Sequence, residues 1–170
     1  DLLSIAVLIQ EDLASGFNNQ LDDIRALIRG LPKGTRVMTA YLRAGSPQIT
    51  QRFTEDLESA AKSLRIVTGS GSGAPRSPYD GVSDVLPRFD SVPVGRRAIL
   101  LFSDGLDTTN GLNLASVTQS YDLDQAILQA QKRSVAVYAC YAPTGLTNSG
   151  SSVLSLGAQG ALQKLSDETG

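Results

Sequence analysis

Carboxylate and hydroxyl side chains cluster in three segments of this sequence, each at a predicted strand end or helix start. The segments are residues 10–16, 69–79 and 102–108. In a parallel sheet with helical connections, such segments meet beyond the carboxyl ends of the strands, where ligands bind. Oxygen-rich side chains are also the ligands that a hard cation such as Mg²⁺ prefers. The three segments therefore define a candidate binding edge of the molecule.

Two interpretations of the acidic residues at this edge stay open. Asp104 either ligates a cation or shapes the turn before Gly105, as Asp often does before Gly. Asp12 and Asp107 could join Asp104 in a shifted site for Mg²⁺ or Ca²⁺. The Gly/Ser run at residues 69–73 lacks the Lys-Ser/Thr ending of a phosphate-binding loop, so it predicts a flexible loop.

The composition excludes the commonest catalytic devices. The chain contains no histidine, so it has no imidazole base, no Ser-His-Asp relay and no His-ligated zinc site. Its single cysteine, Cys140, lies in an apolar run and is predicted to be a small buried core residue rather than a nucleophile. The composition therefore disfavours most hydrolase chemistry.

Size and charge narrow the partner classes. A length of 170 residues predicts one domain, and 15 basic against 17 acidic residues give no positive excess for binding nucleic acid. The apolar run at residues 2–9 is shorter than the roughly 20 residues that cross a bilayer, and it lacks the features of a signal peptide. We expect residues 1–170 to be one domain of a longer protein, without membrane insertion by this domain.

Strand-like and helix-like patterns alternate along the chain. Alternating residues 48–53 predict a short antiparallel edge strand. Apolar runs predict buried strands at residues 4–10, 35–42, 97–102 and 135–141. Helical periodicity separates these strands, which implies an α/β doubly wound domain with a mostly parallel central sheet and helices on both faces.

Three helix starts are predicted from capping residues. Thr54 is the expected N-cap of one helix, Ser77 followed by proline begins another, and Asp122 with Gln125 forms a capping pair for a third. A long polar loop is expected at residues 144–152 before the last helix.

Over nearly its whole length, the chain resembles the von Willebrand factor A-like (VWA) domain, which has a Rossmann-like fold. Residues 99–107 resemble the family's strand that ends in an Asp-Gly turn, residues 3–15 its first strand and Asp-x-Ser-x-Ser loop, and residues 77–80 its Thr loop and following helix. Residues 20–25, 31–37 and 53–56 resemble a bacterial VWA-related subgroup that is common in Acidobacteria. Its members are usually predicted to be exported, so the resemblance implies a periplasmic, surface or secreted location.

The resemblance implies a degenerate metal-ion-dependent adhesion site. Ser15 and Asp104 keep the family's residue types, and Glu11 stands at the position of its first Asp. Leu13 and Arg76 stand where the family has a Ser and a Thr. A guanidinium group repels a divalent cation but pairs well with carboxylates, so we hypothesise that Arg76 neutralises Glu11 or Asp104 and that no metal is resident. Glu11, Ser15 and Asp104 are the candidate ligands if an ion does bind, and Ser15 is otherwise interpreted as a helix cap.

The function that the resemblance implies is a non-catalytic interaction or adhesion module for a protein partner. Contacts are expected from residues 69–76 and 144–152, and from the partner-binding or degenerate metal-site positions Glu11, Asp12, Leu13, Ser15, Arg76, Ser77, Asp104 and Asp107. The alternatives are an assembly domain of a larger exported protein and a metal-binding VWA domain with a shifted site. An enzyme with a phosphate pocket is disfavoured, because the chain lacks a phosphate-binding lysine motif and a general base.

Overall fold

A five-stranded sheet with the strand order β3-β2-β1-β4-β5 forms the centre of the molecule. The computed structural model describes residues 2–71, 73–113, 115, 120–149 and 152–170. The strands are β1 (Leu3–Gln10), β2 (Arg36–Arg43), β3 (Ser46–Thr54), β4 (Arg96–Ser103) and β5 (Val135–Tyr141). All neighbouring strands pair in parallel except β3, which runs antiparallel to β2. The predicted sheet with one antiparallel edge strand is therefore confirmed.

Helices cover both faces of this sheet. They are α1 (Leu21–Arg29), α2 (Leu57–Lys62), α3 (Pro78–Val85), α4 (Tyr121–Lys132), α5 (Gly145–Ser149) and α6 (Ser152–Thr169), with 3₁₀ helices at Ser15–Gln20 and Leu86–Ser91. Successive residues of a strand point to opposite faces, so Leu8 packs in the core beneath α3, α4 and α6, whereas Ile9 packs beneath α1 and α2. No helix among the described residues has both the length and the apolar character needed to span a bilayer.

The helix starts follow the predictions at one place and differ from them at two. Ser77 caps α3 as predicted, with Pro78 at the first helical position. The N-cap of α2 is Asp56 rather than Thr54, because the hydroxyl of Thr54 accepts the backbone N–H of Asp56 itself. The N-cap of α4 is Ser120, not Asp122, since the helix already begins at Tyr121. The predicted polar loop at residues 144–152 contains the short helix α5, and its residues 150 and 151 lie outside the described part.

The prediction that Cys140 is buried is wrong, because the residue is exposed. Within β5, Val135 and Val137 face the core, whereas Tyr138 and Cys140 alternate with them and face outward. β5 is one of the two edge strands of the sheet, and α1 and α2 pack over β1 and β2 instead. The continuous apolar run at residues 135–141 therefore forms a strand that helices cover on one face only, not on both faces.

The parallel register brings four strand ends to the same edge. Gln10 at the end of β1 lies opposite Leu42 of β2, and Phe102 near the end of β4 pairs with Ile9 of β1. Ser103 of β4 in turn lies opposite Tyr141 of β5. The segments that follow these strands accordingly surround one common space.

Candidate functional site

A cleft of about 760 Å³ opens at the carboxyl ends of the strands. Polar lining comes from five segments of the chain, and the half-exposed leucines Leu112 and Leu146 add apolar surface. The charged residues that line the cleft are Glu11, Asp12, Arg43 and Arg76. A volume of this size falls within the range of ligand-binding clefts.

Arg76 is the central charge of this cleft, and its side chain is only 7% exposed. Its Nη1 and Nη2 donate to the two carboxylate oxygens of Asp104 at 3.3 and 2.8 Å. Its Nε donates to Oδ2 of Asp12 at 2.9 Å, and Nη1 also donates to the carbonyl oxygen of Leu106 at 3.0 Å. One guanidinium group therefore joins the segments after β1 and β4 to the segment before α3.

Every carboxylate oxygen of this triad, formed by Asp12, Arg76 and Asp104, has a hydrogen-bond donor. Besides Arg76, the backbone N–H of Leu106 reaches Oδ1 of Asp104 at 3.0 Å, and the hydroxyl of Thr144 reaches Oδ2 at 2.8 Å. The remaining oxygen of Asp12 accepts the side-chain amide of Gln10 at 2.7 Å. Buried charges are tolerated only when they are paired in this way.

The protonation of Arg76 follows from its surroundings. Burial alone lowers the pKa of the guanidinium group, but the charges of Asp104 and Asp12 outweigh this effect, so the pKa lies above its ordinary value. Arg76 is therefore a permanent cation. The triad as a whole carries one net negative charge.

Backbone hydrogen bonds hold Arg76 in position. Its N–H donates to the hydroxyl of Thr108 at 2.9 Å, and the N–H of Thr108 donates to its carbonyl oxygen at 2.8 Å. Close by, the hydroxyl of the buried Tyr79 donates to the carbonyl oxygen of Gly105 at 2.7 Å. Burial, together with the charges of Asp104 and Asp107, raises the pKa of Tyr79, which keeps this donor protonated.

Glu11 does not contact Arg76 but binds two other arginines. Its carboxylate accepts from Nε and Nη2 of Arg43 at 2.7 and 3.1 Å and from Nη2 of Arg65 at 2.7 Å. The hydrogen bond from Arg43 is the largest cause that lowers the pKa of Glu11 from 4.5 to about 2, with Arg65 adding to it. Of the two alternative partners expected for Arg76, Asp104 is the one that it binds and Glu11 is not, and Asp12 is a second partner that was not expected.

Three of the remaining candidate residues have local structural contacts. Leu13 is 0% exposed in the core beneath α1 and α2. Ser15 is exposed and is the first residue of a 3₁₀ helix whose N-cap is Ala14, so the predicted capping role of Ser15 is wrong. Ser77 caps α3, as described above.

Asp107 anchors the start of α4. Its buried carboxylate accepts from the N–H and hydroxyl of Thr109 and from the hydroxyl of Ser120. The same hydroxyl of Ser120 accepts the backbone N–H of Leu123 at 3.2 Å. Asp107 is thus engaged away from the triad of Asp12, Arg76 and Asp104.

Several residues that hold the site together were not among the predicted site residues. Arg43 was detectable as a charged residue directly after a buried strand, whereas nothing in the sequence links Arg65 to Glu11. Gln10 and Ser103 are polar ends of buried strands, and they bind each other through Ser103 Oγ and Gln10 Oε1 at 2.6 Å. Thr144 lies inside a predicted contact loop, but its bond to Asp104 requires the tertiary fold.

The three candidate cation ligands, Glu11, Ser15 and Asp104, do not converge on one point in this structure. The oxygens of Glu11 and Asp104 are hydrogen-bonded to guanidinium groups, and Ser15 is exposed outside the cleft lining. Across the described ranges of the chain, no group of three or more His, Cys, Asp or Glu side chains is arranged to hold a metal ion.

The fold is shared with solved structures of low sequence identity. No family model matches the sequence, and no curated protein does. The conserved hypothetical protein BatB from Bacteroides thetaiotaomicron matches with a TM-score of 0.68 at 16% identity, over 98% of this chain and 86% of that one. The VWA domain of SpRpn10 matches with a TM-score of 0.63 at 15% identity, over 100% and 83%. A von Willebrand factor type A protein from Catenulispora acidiphila matches with a TM-score of 0.61 at 12% identity, over 100% and 43%. The chain therefore has a VWA-like fold.

Proposed function

We propose that this domain is a non-catalytic, metal-independent protein-interaction module that binds its partner at the cleft beyond the strand ends. The observation that carries the proposal is the burial of the Arg76 guanidinium group between Asp12 and Asp104. The guanidinium group of Arg76 binds the carboxylate of Asp104, which would otherwise attract a cation. The degenerate adhesion site expected from the sequence is part of this proposal.

Electrostatics supports a site without a resident ion. A divalent cation beside Asp104 would lie within a few ångströms of Arg76, and like charges at such distances repel strongly in a buried, weakly screened setting. The cation would also have to displace the donors that already occupy the oxygens of Asp104. The shifted site is not favoured either, because Asp107 is bonded to Thr109 and Ser120.

The shape of the edge supports contact with a protein. Connecting segments on a rigid sheet commonly carry binding function, and here residues 69–71 and 73–76 line the cleft with Thr144, Gly145 and Leu146. Ser72, in the first of these loops, lies outside the described residues. The exported location implied by the sequence resemblance remains part of the proposal, and one structure of similar fold is an aerotolerance-related membrane protein from Bacteroides fragilis.

Calorimetric titration of the domain with MgCl₂ and then CaCl₂ tests the metal-independent part. We expect no binding isotherm, and sub-millimolar affinity for either ion would refute metal independence.

The proposal that the domain binds a protein partner is tested by selecting a peptide-display library on the immobilised domain, once with EDTA and once with Mg²⁺. We expect the same binders in both, with amide chemical-shift changes confined to the cleft. Binders that require Mg²⁺, or that map elsewhere, would contradict the proposal.

One observation favours the second candidate, an assembly domain of a larger protein. Leu27 of α1 and Tyr138 of β5 are 53% and 58% exposed beside a mostly apolar depression on the sheet. Such surface is commonly covered by other protein in an assembly. Loss of solubility in the isolated domain, cured by Tyr138→Ser but not by changes at the cleft, would favour this candidate.

A further inference from the structure

Two arginines share a single carboxylate at the mouth of the cleft: Arg43 lines the cleft, and Arg65 reaches Glu11 from outside the lining. Arg43 and Arg65 both donate to Glu11, so this rim cluster, defined as Glu11, Arg43 and Arg65, carries one net positive charge. The side chains of Arg43 and Arg65 are 63% and 41% exposed, whereas that of Glu11 is 20% exposed. The positive charge therefore faces solvent, and the negative charge lies beneath it.

The rim cluster is held in place before any partner arrives. The guanidinium group of Arg65 lies 4.1 Å from the ring centroid of the buried Tyr41. The hydroxyl of Tyr41 also bonds to both the N–H and the carbonyl oxygen of Arg65. Arg43 is fixed by its two hydrogen bonds to Glu11. Groups that are already ordered lose less conformational entropy on binding.

The neighbouring negative charges do not cancel this surface. The side chains of Asp104 and Asp12 are 0% and 17% exposed, and donors within the chain bond to all of their oxygens. They are less exposed than Arg43 and Arg65 and present little free carboxylate to a ligand. The most exposed charges of the rim cluster are accordingly the positive ones of Arg43 and Arg65, although the whole chain has a net charge of −2.

We propose that Arg43 and Arg65 bind an acidic side chain of the protein partner, while aliphatic side chains flanking that acid pack on Leu112 and Leu146. Guanidinium groups bind carboxylates with directed, charge-assisted hydrogen bonds, and the two leucines line the same cleft. The inference rests on the proposed interaction function and names the chemistry of its ligand. A single surplus positive charge suits one carboxylate better than a doubly charged phosphate.

The test uses the display library described above and adds two measurements: the affinity of selected peptides for domain variants, and the affinity of a peptide whose acid is exchanged for its amide. Binders that map to the cleft are compared on the unmodified domain, on Arg43→Gln and on Arg52→Gln, which removes the same charge from an exposed position of β3. We expect the selected peptides to contain an acid next to aliphatic residues. Arg43→Gln should weaken binding about fivefold, as for a partly exposed ion pair, and Arg52→Gln should leave it unchanged. Exchange of the peptide acid for its amide should weaken binding by a similar factor.

The outcomes separate the two proposals. Cleft binders that lack an acid, or that ignore Arg43→Gln, would overturn the inference and leave the interaction function standing. Displacement of the peptide by inorganic phosphate, but not by acetate at equal concentration, would identify a phosphate site and also overturn it. A library that yields no binder, or binders that map away from the cleft, would overturn both.

Discussion

Removal of the Arg76 charge is the most informative change to the buried triad. Arg76→Met keeps the apolar stem of the side chain but deletes its four hydrogen bonds, three to carboxylate oxygens and one to the carbonyl of Leu106. Asp104, which is 0% exposed, is left without its cation. Breaking a buried pair in this way costs about 3–5 kcal/mol, so we expect a loss of about 4 kcal/mol in the free energy of unfolding.

A double-mutant cycle isolates the interaction with Asp104. Asp104→Asn alone leaves Arg76 balanced by Asp12 and should cost about 1.5–3 kcal/mol, the range for hydrogen bonds to charged groups. Combined with Arg76→Met, it removes the orphaned negative charge, so the double variant should be about 1 kcal/mol more stable than Arg76→Met by itself. The losses of the two single variants should therefore not add up in the double variant, which means that Arg76 and Asp104 are strongly coupled.

Urea denaturation at pH 7, followed by far-ultraviolet circular dichroism, measures these differences, and constant m-values show that the same unfolding reaction is compared. Lys164→Met is the matched control, because the Lys164–Asp124 pair is exposed at both ends and should contribute less than about 0.5 kcal/mol. A loss below 1 kcal/mol for Arg76→Met, or simple additivity in the double variant, would refute the reasoning.

Two further predictions concern the rim and the helices. Glu11→Gln should cost about 1–2 kcal/mol at pH 7, a range reduced for the exposure of both arginines. Because the folded state lowers the pKa of Glu11 from 4.5 to about 2, this stability is present above pH 4.5 and is lost as the pH falls toward 2. Urea titrations at several pH values should show the gap closing, and a constant gap would contradict the assignment. Gly81→Ala should destabilise the fold, since its new Cβ would lie 2.8 Å from the carbonyl oxygen of Gly45. The new Cβ of Gly160→Ala in α6 meets open space, so this substitution should stabilise the fold by about 0.5–1 kcal/mol through helix propensity. Equal shifts of the thermal unfolding midpoint for the two glycine variants would contradict this prediction.

The sheet was predictable because its signals are local. The apolar run at residues 4–10 and the alternating one at residues 48–53 carry their strand character within a few residues. The capping of α3 by Ser77 was predictable for the same reason. Cys140 was placed wrongly because hydrophobicity reports strand character but not which faces other elements cover. That coverage depends on where α1 and α2 pack, which no short window of sequence contains.

The candidate site was predictable in its location but not in its pairing. Strand ends converge by topology, so Glu11, Asp12, Arg76 and Asp104 could be placed at one edge from the sequence. Which carboxylate meets Arg76 depends on side-chain direction. Asp12 turns toward Arg76, while the preceding residue, Glu11, turns toward Arg43 and Arg65. A difference of one residue thus decides which carboxylate lies in the triad and which lies at the rim.

A buried arginine and a bound metal ion would allow this edge to be regulated in different ways. A bound metal ion dissociates, so its occupancy follows concentration and pH. A guanidinium group is attached to the chain, and the raised pKa of Arg76 keeps it charged at every physiological pH. The segments that it joins, after β1 and β4 and before α3, can separate only by breaking the buried pairs with Asp12 and Asp104. In the proposed function, the binding surface is therefore a permanent part of the fold, and selectivity for a partner is assigned to the exposed side chains of Arg43 and Arg65 rather than to a dissociable ion.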